Sequence, residues 1–314
     1  MQFSSIALAL ATASTALSLP ATDSLGIAKK TGRHTCTVLA RGKEQSKVDN
    51  IVKSFKECRK NASVIFPQHQ TYWIDKKVHV TLDNVNIDWS GEWLQAQFWS
   101  FNIMSGKNLS FENITCSAFA SNAPTGANWV QNADGFNTMD VTNATFKNFH
   151  YHGGDDCIAI KPRSFGIKGD NVTCHGGNSI AIGSLGQYLE HNSVEDIMIS
   201  NVKMGHLVDQ EQDSYENEGK ARGGGWGKVR KLLFSNFELQ EVSRGPFITQ
   251  DNGNNDSYAG TSRMEISDII FRNFTGNLKS SSGRLGEISC SKEHPCFNIS
   301  FEGMNLQAAD GRCR

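Results

Sequence analysis

Six short stretches of this chain repeat one pattern. "NLSFENIT" (108–115), "NATFKNFH" (143–150), "VEDIMISNVKM" (194–204), "VRKLLFSNFEL" (229–239), "MEISDIIFRNFTG" (264–276) and "CFNISFEGMNL" (296–306) each alternate apolar with polar residues and carry an asparagine near the end. Alternation marks a strand with one buried face, and the Gly and Asn in between mark turns. Asn113, Asn148, Asn201, Asn236 and Asn273 keep one register, with separations of 35, 53, 35 and 37 residues. "DDCIAIK" and "HGGNSIAIG" supply further strands inside the longest gap. A short recurring period means a solenoid, in which each repeat hides its apolar face against its neighbours. Strands that recur without helical crossovers predict an all-β fold, a right-handed parallel β-helix with asparagines stacked in ladders at its turns. A β-sandwich is the alternative, because its strands are also closely spaced. The one segment with helical spacing, "KVDNIVKSFKECRK" (47–60), is expected to cap the N-terminal end. Cys290 and Cys296 are close enough in sequence to staple the last coils.

Lys and Arg total 31 against 32 Asp and Glu, a net charge of −1 with no run of one sign. That argues against nucleic acid or a membrane surface as partner. "MQFSSIALALATASTALS" (1–18) reads as a secretory signal peptide with small residues at its cleavage site, leaving 19–314 as a single domain. A membrane anchor is the alternative, but the apolar run falls short of the roughly 20 residues needed to span. Asn-x-Ser/Thr sequons at Asn61, Asn108, Asn113, Asn143, Asn171, Asn255, Asn273 and Asn298 agree with a secreted, extracellular glycoprotein. Eight cysteines, none at zinc spacing, favour disulfides over metal ligation, and sequence alone does not choose among the pairings.

"NADGFNTMDVTNATFKNFHYHGGDDCIAIK" (132–161) holds two adjacent aspartates, Asp155 and Asp156, with Asp134 upstream. With a coil of about 22 residues, Asp134, Asp155 or Asp156, Asn178 and, two coils further, Arg222 are expected to stack in one column at the strand spacing. Neighbouring carboxylates repel, and the repulsion raises the pKa of one of them. Glycoside hydrolysis uses that arrangement, one carboxylic acid protonating the leaving oxygen and another carboxylate activating water. A Ca²⁺ site and a solvated turn are the other readings of such a cluster.

"NADG", "GGDDCIAIK" and "CHGGNSIAIGSLGQY" together resemble glycoside hydrolase family 28, the polygalacturonase-like pectin hydrolases, whose pattern is N-T-D, G-D-D, G-H-G with I-x-x-G-S, then R-I-K. The resemblance runs from about Val80 to Cys313. It implies a pectin-lyase-like parallel β-helix and hydrolysis with inversion, without metal or other cofactor. It makes Asp155 the general acid, with Asp134 and Asp156 holding and deprotonating the water. It pairs Cys157 with Cys174 beside the site and Cys290 with Cys296, with Cys36 and Cys58 a third plausible pair. Asn178, Arg222 and His175 become the substrate-binding residues. The chain departs from the pattern at Ala133, at Asn178 and Ser179 in place of His-Gly, and at "ARGGGWG", where the arginine stands without its lysine. It also looks shorter than members of the family. "GSLGQY" and the segment 251–276 are most like fungal exo-acting members, so the resemblance implies an exo-polygalacturonase acting on a pectic polysaccharide; a monomer is expected, since a glycosylated β-helix has no evident need for a partner. A rhamnogalacturonan hydrolase or rhamnohydrolase, a catalytically impaired pectin-binding β-helix and a Ca²⁺-dependent pectate lyase are the competing readings. His150 and His152 read as packing or turn residues, and Lys161 as a counter-charge to the aspartates.

Overall fold

The computed structural model describes residues 33–40, 47–74, 78, 80–95, 100–118, 132–186, 190–205, 226–250, 262–279 and 284–308. In chain order the elements are β1 (His34–Thr37), α1 (Val48–Glu57), β2 (Lys60–Phe66), β3 (Thr71–Ile74), β4 (Asp83–Trp89), β5 (Glu92–Gln95), β6 (Phe101–Met104), β7 (Lys107–Ala118), β8 (Phe136–Met139), β9 (Thr142–Gly153), β10 (Ile158–Ile160), β11 (Ser164–Gly176), β12 (Ile180–Ile182), β13 (Val194–Gly205), β14 (Trp226–Val242), β15 (Phe247–Thr249), β16 (Arg263–Leu278), β17 (Glu287–Ser289) and β18 (Phe297–Gln307).

Every strand pairing is parallel. The main path of the large sheet runs β1-β2-β4-β7-β9-β11-β13-β14-β16-β18, and a second sheet runs β6-β8-β10-β12. Strands adjacent in each sheet lie one coil apart in sequence, which is a right-handed parallel β-helix and excludes the sandwich. Aromatic rings, most of them buried, pack against one another along the coils. Phe66 lies 3.6 Å from Trp89, Phe136 5.0 Å from Phe146, Phe237 4.5 Å from Phe274 and Phe271 5.0 Å from Phe301. Helix α1 forms where the helical spacing placed it. Its Val48, Ile51 and Phe55 join the core beside the end strand β1, and the Cys36–Cys58 disulfide ties that strand to the end of the helix. Among the described residues no helix is long and apolar enough to cross a membrane.

Two asparagine ladders close the coils. The residues preceding Ala62, Val85, Leu109, Ala144, Ile167, Ile197, Leu232, Ile269 and Ile299, which share one register, all have positive φ. So do Asn113, Asn148, Asn171, Asn201, Asn236, Asn273 and Gly303 at the second turn. A left-handed residue costs about 1–2 kcal/mol unless it is Gly or a short amide able to bond locally. Asparagine meets the condition and adds a bond to the next coil. Asn148 donates to Asn113 (2.9 Å), Asn171 to Asn148 (2.7 Å), Asn236 to Asn201 (3.0 Å) and Asn273 to Asn236 (3.0 Å). The long gap in the asparagine register is therefore filled by Asn171, and its two inner strands are β10 and β12.

One expectation needs correction. A 22-residue coil holds from β8 to β12 of the small sheet, where Phe136, Ile158 and Ile180 are in register, but β6 and β8 are 35 residues apart (Phe101 to Phe136). In the large sheet the repeat ranges from 21 residues (Thr71 to Glu92) to 37 (Leu232 to Ile269). Loops absorb the difference, so the period cannot be extended two coils beyond Asn178, and Arg222 lies outside the described residues.

Seven of the sequon asparagines, Asn61, Asn108, Asn113, Asn143, Asn171, Asn273 and Asn298, are ladder residues and all are exposed; Asn255 lies outside the described residues. At each, the next residue is an apolar strand residue turned toward the bore and the one after is an outward Ser or Thr. Turn and strand chemistry alone thus writes Asn-x-Ser/Thr.

Asn236 tests the ladder, since it both donates and accepts and is not a sequon. Asn236→Ala is expected to destabilise the protein by about 1–3 kcal/mol, from the lost bonds and the strained φ. Asn236→Gly should recover the backbone part of that loss. Denaturant unfolding of the three proteins checks both effects.

Candidate active site

Three turns stack where the chain passes from the large sheet to the small one. Residues 132–135 precede β8, residues 154–157 precede β10 and residues 177–179 precede β12. Backbone bonds tie them together: the Gly135 N–H donates to the Asp156 carbonyl (2.8 Å), Cys157 to Ser179 (2.8 Å) and Asn178 to Asp155 (3.2 Å). The shared 22-residue register of β8, β10 and β12 stacks the turns before them, and across that stack the side chains pair 23 residues apart, Asn178 on Asp155 and Ser179 on Asp156.

Local geometry explains the glycine beside the aspartates. Gly177 has φ +81°, and a Cβ there would stand 2.2 Å from the Asp155 carbonyl oxygen. Any other residue would push the two turns apart. Tyr151, on β9, braces the same turns from below. Its buried hydroxyl donates to the Ala133 carbonyl (2.7 Å) and accepts from the Asp155 N–H (3.2 Å). Burial pushes its phenol well up, so it stays a neutral donor. The Cys157–Cys174 disulfide locks the residue after Asp156 to β11.

The three carboxyl groups have different surroundings. Asp155 accepts from the Asn132 N–H (2.5 Å), the Asp156 N–H (2.8 Å) and Asn178 Nδ2 (3.0 Å), which fixes its orientation. Asp156 accepts from the Ser179 hydroxyl (2.8 Å). Burial raises its carboxyl to about 7 against that bond, and the charges of Asp155 and Asp134 add to the rise. Asp134 is 4% exposed, and Lys161 Nζ stands 3.5 Å from its Oδ2. Burial pushes Asp134 upward and Lys161 opposes it. The Asn137 amide, fully buried, pulls weakly in the same direction as Lys161, although neither of its polar atoms makes a well-formed hydrogen bond within the described residues. The cluster thus offers a proton donor near neutrality beside groups able to take a proton, the two requirements of general acid–base chemistry.

The structure gathers Asp134, Asp155, Asp156, Asn178 and Lys161. It leaves His175 out. That residue ends β11 in register with His152, and its ring packs against His152 at 6.4 Å rather than against the carboxylates. The reason is parity: His175 lies on the sheet, before the turn at Gly177 redirects the chain. His150 is exposed on the same sheet. Cys290–Cys296 is bonded and belongs to the last coils; Cys116 is a buried free thiol, and Cys313 lies outside the described residues. Sequence reasoning missed Tyr151 and the supporting role of Ser179. The one available hint was a tyrosine at an inward position of "NFHYHGG" directly before the acidic turn.

The proton on Asp156 has a thermodynamic consequence. Its folded pKa, about 7, lies above the roughly 3.9 of an unfolded aspartate. Between these values the folded chain binds more protons than the unfolded one, so stability falls as pH rises through that window and levels above it. Thermal melts at pH 5 and pH 8 should differ in favour of pH 5. Asp156→Asn should remove much of the difference, on the order of 1–3 kcal/mol after allowance for a half-buried group.

A sequence model described as glycosyl hydrolases family 28 matches residues 48–313. A protein of Aspergillus niger named as a galacturan 1,4-alpha-galacturonidase C is 40% identical, with 87% of each chain covered. A protein of the same name from Neosartorya fischeri is 38% identical over 98% of this chain and 93% of that one. Both alignments, at 370 and 401 positions, are longer than the 314-residue chain. Among solved structures, an endo-xylogalacturonan hydrolase from Aspergillus tubingensis shares the fold, with a TM-score of 0.60 and 17% identity over 88% of this chain and 94% of that one. With the match spanning nearly the whole β-helix, the chain belongs to glycosyl hydrolase family 28.

Proposed function

We propose that this protein is an exo-acting pectin hydrolase that releases galacturonic acid from the ends of α-1,4-linked galacturonan, with inversion at the anomeric carbon. The observation that carries the reading is the stack of three aspartates on adjacent coils, one of them holding a proton close to neutrality, in a chain whose relatives at 40% and 38% identity bear the galacturonidase name. Those names favour galacturonan over rhamnogalacturonan. In this reading one carboxylic acid protonates the glycosidic oxygen as the bond breaks, and a carboxylate on the other side of the sugar takes a proton from the attacking water. The Asn178 amide fixes the Asp155 carboxylate and the Ser179 hydroxyl the Asp156 carboxylate, so little reorganisation is needed during the reaction. We further propose secretion directed by residues 1–18, a monomer formed by residues 19–314, and glycans at one or more of the exposed sequons.

Two assignments of the acid follow from two kinds of observation. Family likeness makes Asp155 the donor, with Asp134 and Asp156 holding the water. The electrostatics favour Asp156, whose carboxyl burial raises to about 7. A substrate whose leaving group needs no protonation separates them. On a nitrophenyl galacturonide, only the variant lacking the donor regains rate. Rescue of Asp155→Asn alone supports the first assignment, and rescue of Asp156→Asn alone the second. Each variant should lose roughly 10²–10⁴ in rate on galacturonan.

Product analysis tests the function itself. Monosaccharide should appear from the first minutes with little fall in viscosity, and its first-formed anomer should be β. Mixed oligomers with a rapid viscosity drop would overturn the exo reading; initial α-anomers would overturn inversion. Absence of turnover on polygalacturonate would leave a pectin-binding β-helix.

A further inference from the structure

The one cation that the described residues bring to the acidic column is Lys161. It follows β10, and its backbone N–H donates to the Thr138 carbonyl at 2.8 Å, stapling it to the strand that Asp134 introduces. Ile158 and Ile160 face the core, so alternation turns Ala159 and Lys161 to the other face. From there the side chain reaches back to Asp134, with Nζ 3.5 Å from Oδ2. The two side chains are only 18% and 6% exposed, so solvent screens the pair little.

What surrounds Asp134 makes that contact consequential. Asp155 and Asp156 face it from the turn before β10, and the Tyr151 phenol lies beneath them on β9. The Asn137 amide on its own strand is uncharged. Every other titratable neighbour among the described residues is therefore an acid. A carboxyl buried among acids takes up a proton, and a protonated Asp134 cannot accept one from water.

We propose that Lys161 is the positioning residue that holds Asp134 as a carboxylate, and so fixes which aspartate serves as the base. The inference rests on the hydrolase reading above. It assigns Lys161 a duty separate from substrate binding. Asp134 stays ionised at the pH where a neighbouring carboxyl is still protonated, and the site holds acid and base together.

The test compares wild type, Lys161→Met, Lys161→Gln and Lys161→Arg. An opposite charge at this range lowers a carboxyl pKa by about 1–3 units. Loss of the charge should move the acid limb of the kcat/KM profile upward by that amount, with rate at the plateau above the limb largely kept. Lys161→Arg should restore the wild-type limb. A raised KM at every pH with an unmoved limb would overturn the proposal and make Lys161 a substrate-carboxylate ligand. An unchanged profile would overturn it as well. Carboxyl ¹³C NMR titration of Asp134 in wild type and in Lys161→Gln reads the same shift without turnover. It remains decisive if polygalacturonate proves not to be the substrate, and Lys161→Gln keeps the test open if Lys161→Met fails to fold. An Asp134 titration that does not move in the uncharged variant overturns the inference while leaving the hydrolase reading intact.

Discussion

The structure depends on residues that can sit at positive φ at the turns, once in the coils of β2 and β4 and twice in each from β7 onward. A parallel strand must bend and continue in the same sheet, and the bend places one backbone unit in the left-handed region. Asparagine occupies most of these positions and glycine a few, with Asp196, Asp268 and Lys231 as exceptions. The side-chain amide gives the turn a second use, because its Nδ2 bonds the oxygen of the residue one coil below. Each coil therefore orients the next. The ladder fixes the register from which every other vertical alignment follows, including the stacked rings of the bore and the acidic column.

Stacking is what makes the site possible and what makes it costly. Residues held one above another at the strand spacing cannot move apart, so like charges remain neighbours. The protein meets this with three different environments. Asp155 is surrounded by donors, Asp134 faces an ammonium group, and burial raises the Asp156 carboxyl to about 7. A solvated cluster on a loop would relax by separating its carboxylates. Here Gly177, the Tyr151 hydroxyl and the Cys157–Cys174 bond hold the turns closed. The destabilisation stored in the column is offset by the length of the solenoid on either side.

The sequons illustrate how a fold writes a motif. A left-handed asparagine, an inward apolar residue and an outward Ser or Thr recur because turn, bore and surface each impose one of the three. Their number therefore reflects the ladder as well as any route through a secretory pathway. Asparagine spacing within them is a structural ruler, with intervals that report how much loop each coil carries.

The sequence by itself determined the β-helix, because alternation, asparagine register and the absence of long helical segments are local properties that survive without knowledge of contacts. It also brought Asp134, the Asp155–Asp156 pair and Asn178 onto stacked turns, since the coils there keep the same length. The disulfide partners were legible only through family likeness, as spacing does not select among eight cysteines. Tertiary structure alone decided the rest. Loop lengths vary from coil to coil, so a fixed period failed beyond Asn178. His175 lies three residues from a site residue yet on a different face, because two left-handed glycines, Gly176 and Gly177, redirect the chain between them. Burial raises the carboxyls of Asp134 and Asp156, and the charge that opposes the rise at Asp134 comes from Lys161, 27 positions away in sequence. Charge in a protein is set by the neighbours that folding supplies, and the linear order of residues does not contain them.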